Sequence, residues 1–170
     1  YMREDNRDLC YLYTGSPSFY EHTGWIRGDL DYNYVISFEK IQENLEESII
    51  KTPNIMDYQF LPFKATLLNE FKRVYHEYSS HIIGNSNRAD WFWERLIKFS
   101  PKRLQRIYFI EHSDQIIGYI IVDKGAKSNK DRLILSEYGI SDSLGKDDIQ
   151  ILEKIILYYL VEQAEEKHCN

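Results

Sequence analysis

Apolar residues recur along this chain with two different periods, and the switches between them mark its elements. Residues 9–14 form a short apolar and aromatic run of strand character, closed by Thr14-Gly15-Ser16-Pro17. Ser16 as N-cap and Pro17 as first helical residue open a short helix over 18–23, and Gly24 supplies its left-handed stop. Residues 25–27 and 32–38 read as strands with a turn at 29–33. The stretch 39–50 is rich in Glu and Gln and is broken by Lys51-Thr52-Pro53-Asn54.

A second series follows. Residues 58–63 read as a strand. Leu67, Phe71, Val74 and Tyr78, with Leu68, Tyr75 and Ile82 beside them, predict an amphipathic helix over 67–82, stopped at Gly84-Asn85. A shorter helix over 90–99 places Phe92, Leu96 and Phe99 on one face and ends at Ser100-Pro101. Strands are predicted over 106–111, 115–122 and 133–140, with a turn at Ser113-Asp114 and a polar loop over 124–131. A long helix over 147–167 has Asp147 and Asp148 at its positive end and Lys167 at its negative end. Its Ile149, Leu152, Ile155, Ile156, Tyr159 and Leu160 spread over more than one face, so burial against a sheet is expected. Mixed strands and helices in this order predict an α/β (α+β) class.

Charge divides the chain in the same place. Residues 1–50 hold ten Asp/Glu against four Lys/Arg, which is the whole net charge of −6. The shift marks a boundary near 45–55, giving units at 1–45 and 57–170 with a linker at 46–56. An acidic excess does not suit a phosphate backbone, so no nucleic-acid partner is expected. No apolar run approaches the roughly 20 residues that span a bilayer, so no membrane partner is expected. Two cysteines, Cys10 and Cys169, do not make a disulfide scaffold. With no signal segment at the N-terminus, a reducing, cytoplasmic setting is expected.

The stretch Leu12-Tyr13-Thr14-Gly15-Ser16-Pro17-Ser18-Phe19-Tyr20-Glu21-His22-Thr23-Gly24-Trp25 resembles the late motif of the GNAT acetyltransferase superfamily, where a strand leads into a short helix. Gln115-Ile116-Ile117-Gly118-Tyr119-Ile120-Ile121 is similar to the third strand of that fold, and the order of elements after residue 57 is similar to its beginning. The tail of one GNAT fold followed by the head of another resembles the two-domain enhanced intracellular survival family. Asp90-Trp91-Phe92-Trp93-Glu94-Arg95-Leu96 looks like the Trp-bearing helix of its second domain.

The resemblance implies a GNAT-like, largely antiparallel sheet flanked by helices. It also implies N-acetyl transfer from acetyl-CoA, as co-substrate, to a small-molecule or peptide amine. Tyr20 matches the tyrosine that donates a proton to the departing thiolate, and a phenol held beside sulfur can do so; the alternative is a Tyr that packs the short helix. Glu137 lies on the strand where some relatives place a general base; the alternative is a solvated strand carboxylate.

Where the family has a glycine-rich phosphate turn, residues 141–148 here hold one Gly and three Asp. Carboxylates there repel a pyrophosphate, so this chain is expected to be inactive by itself and no cofactor-binding residue is assigned. The alternative is a non-catalytic structural or oligomerisation module.

Other candidates are weaker. His76 and His81 share no helix face, and His22, His112 and His168 are scattered, so no metal site is expected. Arg95, Lys98, Lys102, Arg103 and Arg106 form a basic stretch beside Trp91 and Trp93, read as a solvated helix end over buried aromatics. Strands 9–14 and 32–38 need a sheet to join. The strand at 133–140 is their expected partner, within one chain or across a homodimer.

Overall fold

Period-2 apolar runs in the second half of the chain build one antiparallel sheet, and period-3.6 runs cover it. The structure, a computed structural model, describes residues 57–82, 88–124 and 133–166, together with His22 and Ile41. The chain divides into two compact units, Tyr1–Val35 and Ile36–Asn170, and apart from His22 everything described belongs to the second. The expected 1–45 unit, with Cys10 and Tyr20, lies otherwise outside the described residues. So do the linker at 46–56, most of the polar loop at 124–131, and Lys167.

Strand β1 (Tyr58–Pro62) runs through a short 3-10 turn into helix α1 (Leu68–Ser80). Helix α2 (Asp90–Phe99) and a one-turn helix α3 (Pro101–Leu104) follow. Then come strands β2 (Ile107–His112), β3 (Gln115–Lys124) and β4 (Leu133–Ile140), and the long helix α4 (Lys146–Glu166). The strands lie side by side in the order β1-β2-β3-β4, every neighbour antiparallel. This is the mixed α/β class expected from the sequence. Among the described residues, no helix is long and apolar enough to cross a membrane.

Each face of the sheet carries its own core. On one side Ile107, Phe109, Ile116, Tyr119 and Ile121 meet Phe71, Val74 and Tyr75 of α1 and Trp93 and Leu96 of α2. On the other, Ile110, Ile117, Ile120, Val122 and Ile140 meet Leu152 and Ile156 of α4. The expected burial of the long helix is met, and Tyr159 stacks on Phe60 with ring centroids 3.8 Å apart.

Two bulges decide which side chains face which core. Ile110 pairs with Gly118 and Glu111 with Ile116, so Ile117 is an extra residue on β3. Ile121 pairs with Glu137 and Val122 with Leu135, so Ser136 is an extra residue on β4. An extra residue reverses the alternation beyond it. Leu133 and Leu135 pack toward α4, and so do Tyr138 and Ile140, three and five positions past Leu135. Glu137 is thereby turned to the α1–α2 side. The β2–β3 hairpin closes on Ser113 and Asp114, whose φ of 51° and 60° are the paired left-handed values of a type I′ turn.

Two expectations need correction. Helix α2 does not bury Phe92, Leu96 and Phe99 as one face. The larger Trp93 takes the core position, 1% exposed beside Leu96, and the helix is rotated so that Phe99 is 66% exposed. Pro101 does not merely end that helix; with its φ already helical it starts α3.

Candidate functional site

Glu137 is not a solvated carboxylate. Its side chain is 22% exposed and faces Arg88, itself 13% exposed, in a two-pronged pair. Arg88 Nη1 donates to Oε1 at 2.8 Å and Nη2 to Oε2 at 2.7 Å. The Tyr119 hydroxyl donates to the same Oε1 at 2.8 Å. Burial, and then the charge of Glu137, push the Tyr119 phenol far above its ordinary value. Burial alone would lower the Arg88 guanidinium, but the hydrogen bonds and charge of Glu137 outweigh it and hold it above its usual range.

The surroundings hold this pair in place. The Arg88 guanidinium carbon lies 4.1 Å from the Tyr75 ring centroid, 4.8 Å from Phe92 and 5.6 Å from Trp93. Trp93 Nε1 donates to the Arg88 carbonyl at 3.0 Å, which fixes the backbone just before α2. Tyr119 lies flat across Gly139, on the neighbouring strand. A Cβ at 139 would stand 2.3 Å from its Cε1, so only glycine admits the ring there.

A second cluster sits at the turn between β4 and α4. Arg73, on α1, donates to Glu70 at 2.9 Å, to Glu77 at 2.9 and 3.0 Å, to Ser141 Oγ at 3.1 Å and to the Ile116 carbonyl at 2.6 Å. Ser141 is buried, and its hydroxyl donates to Glu77 Oε2 at 2.7 Å. The Asp142 N–H donates to the same oxygen at 3.2 Å. Burial would raise the Glu77 pKa, but hydrogen bonds from Ser141 and Arg73, the Arg73 charge and the Asp142 N–H together hold it below its ordinary value.

Each backbone N–H from Ser141 to Gly145 has a partner within the chain. The N–H of Ser141 goes to the Ile117 carbonyl, that of Asp142 to Glu77 and that of Ser143 to Ser141 Oγ. Leu144 N–H goes to the Ser141 carbonyl and Gly145 N–H to the Asp148 carboxylate. A turn that binds an anion needs N–H groups aimed outward. Here the two that meet a carboxylate meet the chain's own.

The remaining candidates scatter. Tyr20 lies outside the described residues. His22 and His76 are exposed, His81 pairs with Asp142 at 3.0 Å, and His112 stacks on Tyr58. Among the described residues, no three or more His, Cys, Asp or Glu side chains gather as a metal site. Of the two indoles beside the basic stretch, Trp93 is buried but Trp91 is 63% exposed, which corrects the expectation that both are covered. Arg106 pairs with Asp123. An open groove of about 390 Å³ beside it is lined by Lys102, Tyr108, Leu133 and Tyr159 among others.

Arg88, Arg73, Glu77 and Ser141 were not singled out from the sequence. Glu70, Arg73 and Glu77 carry a readable signal, because their spacings of three and four stack on one helix face. Arg88 carries none, since its partner lies 49 residues away. No protein-family model matches the chain, and a search of curated proteins finds no match.

Proposed function

We propose that this chain is part of a GNAT-like N-acetyltransferase and that its second unit is a module of that fold which does not itself carry the transfer. The observation that carries the reading is the turn at 141–145, where Glu77 accepts from Asp142 N–H and Asp148 from Gly145 N–H. A pyrophosphate would have to displace two carboxylates from the donors it needs, against their charge. Glu137 supports the same reading. A general base must reach the proton that it removes, and both Glu137 oxygens already accept from Arg88. Each ligand-binding position is thus held by a side chain of the charge its ligand would have: an anion at the phosphate turn, a cation at the base.

The element order from β1 to α4 supports the family assignment, and Tyr20 is the residue we assign to proton donation in the intact protein. Cytoplasmic residence, an amine acceptor and a homodimer belong to the same proposal. Among the described residues β4 is an edge of the sheet, and an open strand edge is a surface that a second copy can cover. Calorimetric titration of the whole chain with acetyl-CoA is the test. No heat of binding is expected; a low-micromolar dissociation constant, about −8 kcal/mol, would contradict the proposal.

A further inference from the structure

The cluster around Arg88 contains more than an ion pair requires. Tyr75 from α1 and Phe92 and Trp93 from α2 turn their rings toward the guanidinium. Glu137 offers it both oxygens, and Tyr119 fixes one of them by donating to it. Aromatic faces closed by a carboxylate select a flat, weakly hydrated cation. We propose that this cage is a guanidinium-binding site whose occupant is Arg88 of the same chain. A guanidinium from another molecule, on an arginine side chain or a small guanidine, binds in its place once Arg88 is removed.

The walls of the cage are held by contacts other than those to the Arg88 side chain. Tyr75, Trp93 and Tyr119 are almost fully buried, and Phe71 packs edge-on against Trp93 and Tyr119. Gly139 seats the Tyr119 ring, and the Tyr119 hydroxyl orients Glu137. Arg88, in contrast, precedes α2 and belongs to no helix or strand. The fork of two N–H bonds at 2.8 and 2.7 Å is a fit for guanidinium that a single ammonium nitrogen cannot reproduce. A tethered Arg88 competes at an effective concentration of order millimolar, so the unmodified chain is silent toward weaker ligands. The proposal is independent of acetyl-CoA: a guanidinium site survives whether or not the chain carries transfer.

The experiment uses the whole chain with Arg88→Ala, titrated with methylguanidinium and, separately, with N-acetylarginine amide, followed by calorimetry and near-ultraviolet circular dichroism. Saturable one-site binding is expected, about tenfold or more tighter than methylammonium and than methylguanidinium on the unmodified chain. It is lost in Arg88→Ala/Glu137→Gln. Binding of both probes assigns the site to arginine side chains, and binding of methylguanidinium alone to small guanidines; either supports the proposal. If Arg88→Ala does not fold alone, its refolding with methylguanidinium present decides: recovery of the fold with methylguanidinium and not with methylammonium supports the proposal, and recovery with neither overturns it. No saturable binding to the folded variant, or equal binding to the double variant, overturns it.

Discussion

Arg88–Glu137 and Arg73–Glu77 are both arginine–carboxylate pairs, one anchored on β4 and the other reaching the turn beyond it, yet they differ in water and in sequence distance. The Arg88 pair joins residues 49 apart, with side chains 13% and 22% exposed. The Arg73 pair joins residues four apart on one helix, 39% and 28% exposed. A helical pair so exposed contributes only about 0.3–0.5 kcal/mol in itself. Its weight comes from what the same groups reach: Ser141, the Asp142 N–H and the Ile116 carbonyl. The drier pair weighs most when it is broken, because the partner left behind is a charge with little water around it. The wetter cluster therefore sets the chemistry of a turn, and the drier one sets whether the fold holds.

The largest expected effect follows from that contrast. Arg88→Ala strands Glu137 and should cost about 3–5 kcal/mol of stability, measured by denaturant unfolding. Arg73→Ala should cost clearly less. Equal losses would erase the distinction between the clusters. Next is Gly139→Ala. Its Cβ would stand 2.3 Å from Tyr119 Cε1, so the ring must leave its seat and release Glu137. Overpacking of this kind costs about 1–3 kcal/mol. A loss below about 0.5 kcal/mol would show that the ring has room to move.

A smaller effect is expected at the turn. Glu77→Gln removes a carboxylate that Ser141, Arg73 and Asp142 all serve, at about 1–3 kcal/mol for the donors left poorly matched. Because Glu77 is held below its ordinary value of 4.5, its contribution is present above that pH and is lost as pH falls through the lower folded value. The variant should therefore show a flatter acid limb in its stability profile.

The alkaline limb has the opposite origin. Tyr119 is raised, so the folded chain keeps a proton that the unfolded chain surrenders near its ordinary value of 10.0. Stability should fall as pH rises above about 10, and less steeply in Tyr119→Phe. Tyr78 and Tyr159, also raised by burial, keep part of that slope.

Periodicity made the elements legible and left their faces hidden. The helix at 90–99 and the strand at 133–140 agree with the structure to the residue, because the period of the apolar residues tells helix from strand. The inserted residues Ile117 and Ser136 leave no mark in that spacing. Leu133, Leu135 and Glu137 read as one side of a strand, and the bulge at Ser136 is what sends Glu137 to the other. The same limit hid the rotation of α2 toward Trp93, a contest between two aromatics that only the third dimension settles. The poverty of the 141–148 turn in glycine was legible. That Glu77 fills it was not, since 65 residues separate Glu77 from Asp142.

The central claim is that the turn after β4 already holds its anion. Amide resonances of Asp142 and Gly145, followed by NMR during addition of acetyl-CoA and then during acid titration, test it most directly. The account predicts no shift with acetyl-CoA, and an Asp142 amide that moves with the protonation of Glu77 below its ordinary value of 4.5. Saturable shifts of both amides on adding acetyl-CoA, with no response of Asp142 to acid in that range, would contradict it.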